Sequence, residues 1–204
     1  MAGRSGNPQY GAVSDSGDWR TRKWEATHQR IYEAAMQLFK EKGFDQVHVG
    51  ELAKAAGVSV PTFYAHYPSK EHLVLVLPTA EEVAALIATQ PTDLPLGERL
   101  RRAAPAWFAS WSPEFRAATL ERWRLIASTP ELRMRAATFE RTTAGYITDA
   151  LPSMEGATLR PGDTAVVNAY LAAYTAGVLA WAECNGEQPL ERLVDEAFDA
   201  LQNG

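Results

Sequence analysis

The chain has 204 residues, 46% of them hydrophobic, enough apolar material for a core in one domain or two small ones and incompatible with disorder of the whole. Its one cysteine, Cys184, excludes an intramolecular disulfide, and the start Met-Ala-Gly-Arg-Ser-Gly-Asn-Pro lacks the apolar stretch of a secretory signal, so a cytoplasmic location is expected. The net charge of −5 argues against a nucleic-acid partner only until it is divided: Trp19 to His72 carries eight Lys and Arg against six Asp and Glu, Leu73 to Gly204 eleven against seventeen.

Residues 1–18 are rich in Gly, Ser, Asn and Asp without periodicity and are expected to be a disordered tail. Arg20, Arg22 and Lys23 follow, as a basic arm for phosphates or the minor groove or as a solvated helix start. A helix is predicted from about Trp24 to Lys42, with Ile31, Ala34, Ala35, Leu38 and Phe39 on one face. Gly43 ends it. Val49, Leu52, Ala53 and Ala56 then mark one face of a short helix stopped by Gly57. Ser59 is placed to cap a second short helix from Val60, with Pro61 in its first turn and Pro68 limiting its length. Two short helices about a Gly-containing turn make a helix-turn-helix, whose second helix enters the major groove.

At these residues the resemblance becomes specific. Arg30-Ile31, Ala34-Ala35, Leu38-Phe39, Gly43-Phe44, Leu52-Ala53, Ala56-Gly57-Val58-Ser59, Thr62-Phe63-Tyr64, His66-Tyr67 and Ser69-Lys70 resemble the N-terminal signature of TetR-family regulators. His48 and Gly50 depart from it, standing where the family has a Thr or Ser cap and, in some members, a base-reading side chain. The resemblance implies a homodimer that binds a double-stranded operator of inverted-repeat symmetry, usually as a repressor, and is released by a small-molecule effector. It implies that Thr62, Tyr64 and His66 face DNA, that Val60 and Pro61 meet thymine methyls, and that Tyr64 and Lys70 clamp phosphates. The full candidate DNA-binding set is Arg20, Arg22, Lys23, His48, Val49, Ser59, Val60, Pro61, Thr62, Tyr64, His66 and Lys70.

Beyond the motif, a helix opening at Ser69 carries the apolar run Leu73–Leu77 and meets Pro78. A kink or a restart is expected near Thr79, with helix to about Gln90. Pro91 to Pro95 reads as a loop, and a helix from Leu96 to Ser110 contains Pro105. Ser112-Pro113-Glu114 and Thr129-Pro130-Glu131 are helix starts. The second of these helices is expected to reach Leu151 and stop at Pro152, and a loop from Pro152 to Pro161 precedes a helix capped by Asp163. Ala165 to Ala182 carries no charge, yet its Ala content and its Asn168, Tyr170, Tyr174 and Thr175 favour a helix buried on two sides over a membrane span. Leu190, Leu193, Val194, Ala197, Phe198 and Leu201 form one face of the last helix. The expectation is an all-α chain of nine helices: a tail over 1–18, a helix-turn-helix domain over 19–72, and an effector and dimerisation domain over 73–204.

No Gly-rich phosphate loop, HExxH, GxSxG or paired cysteine is present, so no cofactor, metal site or activated nucleophile is expected. An all-helical enzyme or an adaptor with a structural helix-turn-helix is the alternative reading. Effector candidates are Trp107, Trp111, Trp123, Phe139, Tyr146, Tyr170 and Tyr174, although an aromatic residue on a helical face is more often core than pocket. An Arg from Arg116, Arg122, Arg124 and Arg135 would meet an anionic group. Dimer contacts are expected from Tyr174, Gly177, Val178, Trp181, Leu190, Val194 and Phe198, since the uncharged helix has more apolar surface than one subunit covers.

Overall fold

The structure, a computed structural model, describes residues 19–76, 80–155 and 160–203. These form nine α-helices and no strand: α1 Trp19–Lys42, α2 Val49–Ala55, α3 Val60–His66, α4 Ala80–Ala88, α5 Leu96–Ala109, α6 Pro113–Ser128, α7 Pro130–Glu155, α8 Pro161–Glu183 and α9 Leu190–Asn203, with a 3-10 turn at Lys70–Leu73. The chain divides between Val76 and Leu77 into two compact units. The expected tail over 1–18 and the break at Pro78 lie outside the described residues.

In the first unit, α1 packs on α2 and α2 on α3, and Ile31, Ala35 and Phe39 of α1, Leu52 and Ala53 of α2, Ala56 just after it, Phe63 of α3 and the loop residues Phe44 and Val47 are all buried. Gly57 ends α2 at φ +65°, a left-handed conformation that costs a glycine little. There the Val58 amide donates to the Ala53 carbonyl at 2.9 Å. Ser59 then starts α3, its Oγ accepting the Thr62 amide at 3.1 Å.

Two expectations for this unit need correction. First, α1 begins at Trp19 rather than Trp24, so Arg20, Arg22 and Lys23 are helical and form no extended arm. Second, the helix expected from Ser69 to Leu77 is a single 3-10 turn. The Ser69 hydroxyl is drawn to the Glu71 carboxylate and to His72 Nδ1 at 2.9 Å, and makes no cap bond to the backbone. Leu73, Val74 and Leu75 are all buried. Three consecutive buried residues sweep about 200° of an α-helix, wider than the face this small core covers.

In the second unit, α8 packs against α5, α6, α7 and α9, and its buried Val167, Ala173, Gly177, Val178, Trp181 and Ala182 place it in the core despite a composition apolar enough to cross a membrane. Two buried clusters result. Ile87, Ala144, Ile147, Leu151 and Val167 form one, flanked by Leu96, Leu100 and Leu171. Ala104, Phe108, Ala173, Val178, Trp181, Leu190, Val194 and Phe198 form the other.

Pro152 does not stop α7, which runs on to Glu155. One turn earlier the Thr148 hydroxyl donates to the Ala144 and Gly145 carbonyls at 3.0 and 2.9 Å. Nor does Asp163 cap α8, which starts earlier, at Pro161. Asp163 sits in the first turn, where Oδ2 accepts the Arg160 amide at 2.9 Å and the carboxylate takes two guanidinium bonds from Arg160.

Six of the residues expected at a dimer interface are already used inside the chain. Gly177, Val178, Trp181, Leu190, Val194 and Phe198 are buried within the chain itself, because α9 folds back along α8 and covers the face assigned to a second subunit. The approach is close: a Cβ built at Gly177 would lie 2.6 Å from Val194 Cα and 2.8 Å from its Cγ2. Gly→Ala within a helix normally adds stability, on the order of 1 kcal/mol. At Gly177 the clash meets backbone and overpacking wins, so Gly177→Ala is expected to lower stability by about 1–3 kcal/mol. A rise in thermal midpoint for this variant would contradict the packing of α8 on α9.

Candidate nucleic-acid interface

The surface offered by α3 follows from how its seven residues divide. Phe63 is fully buried and Tyr67, the residue that ends the helix, nearly so. Val60, Pro61 and Tyr64 consequently face outward, Tyr64 with half its surface exposed. The edge of Phe63 meets the Tyr64 ring at 5.6 Å and 87°, which fixes the direction of the phenol. Thr62 is half-buried and its hydroxyl shares a 2.7 Å hydrogen bond with Ser59 Oγ. Thr62 and Ser59 thus form part of the helix start.

Lys70 and His66 are engaged within the unit, and His48 stands at the start of α2. The Lys70 ammonium donates to the Phe44 carbonyl at 3.0 Å and the Val47 carbonyl at 3.2 Å, and lies 4.3 Å from the Phe44 ring centroid. Two of its three N–H bonds therefore tie down the loop before α2, which leaves one for an anion. His66 turns back towards α1: its ring stacks on Trp24 at 4.8 Å and lies 5.7 Å from His28, which itself stacks on Tyr67 at 4.1 Å. His48 starts α2 without a side-chain cap bond. Its amide instead donates to Glu51 Oε2 at 3.3 Å, while Glu51 Oε1 accepts Lys42 Nζ at 2.7 Å. That lysine bond holds the Glu51 carboxyl below its usual range. Val49 is half-buried beside exposed His48 and Gly50, and Arg20, Arg22 and Lys23 are exposed on the first turns of α1, with Lys23 Nζ 5.4 Å from the Trp19 ring.

The Trp24–His28–His66–Tyr67 stack joining α1 to α3 was not legible in the sequence as a group. Its one local signal is Trp24 and His28 at i and i+4. Two further bonds tie α1 to the motif: Tyr67 Oη donates to the His28 carbonyl at 3.2 Å, and Arg30 Nε to the Ala56 carbonyl at 2.9 Å. Burial, with His66 second, pulls the His28 pKa down to about 4. Burial and then Arg30 lower that of His66.

In the second unit, five effector candidates lie against one core cluster: Trp107, Trp111, Trp123, Tyr170 and Tyr174. Phe139 and Tyr146 are half-buried on α7 outside that cluster. Phe108 stacks on Tyr174 at 5.9 Å, and Trp111 meets Phe115 edge-on at 5.2 Å. Burial raises the Tyr174 pKa, opposed by a hydrogen bond with Trp107. The Trp111 indole nitrogen is buried without a hydrogen-bond partner. Of the candidate cations, Arg122 is buried with Nη2 on Thr119 Oγ1 at 2.9 Å, Arg116 pairs with Glu191 at 2.6 Å, Arg135 pairs with Glu131 at 3.4 Å, and Arg124 is exposed.

Comparison with known proteins finds relatives for both parts of the chain. A family model described as bacterial regulatory proteins, tetR family, matches residues 31–77, and one described as the MftR C-terminal domain matches residues 94–204. The HTH-type transcriptional regulator EthR of Mycolicibacterium smegmatis is 47% identical over 47 residues, 23% of this chain and 22% of that protein. TcmR of Streptomyces glaucescens is 27% identical over 149 residues, 69% of this chain and 65% of that protein. The chain thus spans less than two thirds of either relative. Among solved structures, NalD, the secondary repressor of the MexAB-OprM multidrug efflux pump in Pseudomonas aeruginosa, shares the fold at TM-score 0.55 and 20% identity, covering 90% of this chain and 97% of that one. Thermus thermophilus FadR, a TetR-family repressor crystallised with lauroyl-CoA, does so at TM-score 0.52 and 24% identity, covering 87% and 94%. The matched proteins are transcriptional regulators rather than enzymes.

The histidine stack makes the first unit sensitive to acid. Both imidazoles titrate lower in the folded chain than the ordinary histidine value of about 6.5, so unfolding takes up protons and acid favours it. The contribution is whole above about pH 6.5 and declines as the pH falls towards about 4. His28→Phe, which keeps a ring and cannot be protonated, is expected to flatten that decline. Urea unfolding of wild type and variant at pH 7 and pH 5 checks it, and parallel losses in the two proteins would refute the assignment.

Proposed function

From the premise that the chain belongs to the TetR family of bacterial regulatory proteins, we propose that it is a cytoplasmic, homodimeric repressor that binds an inverted-repeat operator and leaves it when a small molecule binds the second unit. The observation that carries the reading is the outward face of α3, where Val60, Pro61 and Tyr64 stand exposed on a helix anchored by buried Phe63. Apolar Val60 and Pro61 suit thymine methyls, and the Tyr64 hydroxyl and the remaining Lys70 N–H suit phosphates. Arg20, Arg22 and Lys23 add positive charge on α1, and residues 19–72 act as the DNA-binding domain. Thr62 and His66, engaged within the unit, support the geometry of the reading face.

Residues 73–204 serve as effector and dimerisation domain. With the inner faces of α8 and α9 used within the chain, the dimer forms through their outer faces, where Ala165, Ala172, Ala176 and Leu201 are exposed. Two such helices per subunit make a four-helix contact. It sets the separation of two reading heads, which successive major grooves require to be about 34–36 Å. The effector is a mainly apolar small molecule seated among the aromatic residues around Trp107, Trp111 and Tyr174. It acts by binding one head separation better than the other, since equal affinity for both would shift nothing.

Selection of genomic fragments by the purified protein tests the operator reading. An inverted repeat should emerge, and Tyr64→Ala should weaken binding to every recovered fragment by a similar factor without changing the consensus. Lys70→Ala should shallow the salt dependence by about one unit of slope at most. Recovery of fragments with no shared repeat would end the operator proposal. A compound screen read by tryptophan emission, with Trp107→Phe to locate the signal, tests the effector. The expected hit both changes emission and releases the selected fragment, and a screen in which release occurs without Trp107 reporting would move the site elsewhere.

A further inference from the structure

The turn joining α8 to α9 holds an asparagine followed by a glycine. Asn185 is exposed and adopts φ +54°, the one non-glycine residue with positive φ among the described residues, and Gly186 follows at φ +75°. An Asn-Gly pair is chemically reactive because no Cβ shields the glycine nitrogen. That nitrogen loses its proton to solvent base and attacks the asparagine Cγ; the new C–N bond displaces ammonia and closes a succinimide. Water then adds to either ring carbonyl, giving aspartate or isoaspartate. The balance is one water taken up and one ammonia released, with no change of oxidation state.

In the folded chain the attacking nitrogen is occupied. The Gly186 amide donates to the Trp181 carbonyl at 2.9 Å, reaching back five residues as helix-ending turns do, and the Asn185 amide donates to the Ala182 carbonyl at 3.1 Å. Gly186 is also pinned from outside: a Cβ built there would lie 2.8 Å from Leu120 Cδ2 and 3.5 Å from the Trp181 indole nitrogen. The backbone is held in a left-handed turn, and the nitrogen cannot reach Cγ until the Trp181 bond breaks and the turn opens.

The geometry points to Asn185–Gly186 as a deamidation site gated by the end of α8, at which modification proceeds only in molecules whose α8–α9 turn has opened. The product would not refit. Isoaspartate lengthens the backbone by one methylene and displaces Gly186 from Leu120, and either acid adds a negative charge between Glu183 and Glu187 at the negative end of the α8 dipole. Each opening that runs to completion therefore leaves a chain in which α9 is less firmly attached.

The test uses the full chain in mildly alkaline buffer, with and without denaturing urea. Peptide mass spectrometry follows amide-to-acid conversion, and fragmentation assigns it to Asn185 rather than to the second Asn-Gly pair, Asn203–Gly204. The native chain is expected to convert Asn185 more slowly than the unfolded chain by roughly tenfold or more. Leu120→Ala should speed conversion in the native protein and leave the rate in urea unchanged. If that variant fails to fold, urea below the unfolding transition replaces it and should accelerate conversion of the wild type. Equal rates in native and unfolded chains, or a native rate that neither perturbation changes, would overturn the proposal.

Discussion

A helix of seven residues is too short to persist in water on its own propensity, and α3 has seven. The burial of Phe63 holds it in place, and the rest of the first unit is arranged around that need. Ser59 starts the helix, Tyr67 buries its end, and the 3-10 turn after it leads into buried Leu73, Val74 and Leu75. The outward face exists because the inward one is secured. Tyr64 is presented to solvent in a fixed direction since its neighbour cannot move.

Polar residues in this unit are largely committed to its own geometry. Lys70 fastens the loop before α2, Glu51 links Lys42 to the start of α2, and Arg30 reaches the end of α2. The outward face of α3 is thus backed by aromatic rings and by Arg30 and Lys70, which donate to backbone carbonyls. This division of labour explains why a net charge of −5 over the whole chain is compatible with a nucleic-acid partner. What matters is where each cation is held.

Much of the fold was legible because its signals are local. Gly43 and Gly57 end helices, Ser59 and Ser112 start them, and the spacing of Ile31, Ala35 and Phe39 marks a buried face; each depends on a few neighbouring residues. Where the reading failed, the deciding partner lay elsewhere or competed locally. Ser69 looked like a cap until Glu71 and His72 took its hydroxyl. His66 looked like a surface residue because Trp24 and His28, its actual neighbours, stand some forty residues away in the chain. Periodicity showed that Leu190, Val194 and Phe198 needed a covering surface. It carried no information on whether that surface belonged to the same chain, and Gly177, which admits α9 against α8, reveals its purpose only beside Val194.

The two buried clusters of the second unit have no residue in common, yet α5 and α8 serve both. α5 sends Leu96 and Leu100 into one and Ala104 and Phe108 into the other, and α8 divides Val167 and Leu171 from Ala173, Val178 and Trp181 in the same way. Each helix is therefore a shaft clamped at two points. Because packed interiors yield by discrete steps rather than by smooth deformation, a turn or slide of either shaft that re-seats one clamp obliges the other to re-seat as well. The aromatic end of the unit and the end beside α4 thus rest on the same two helices.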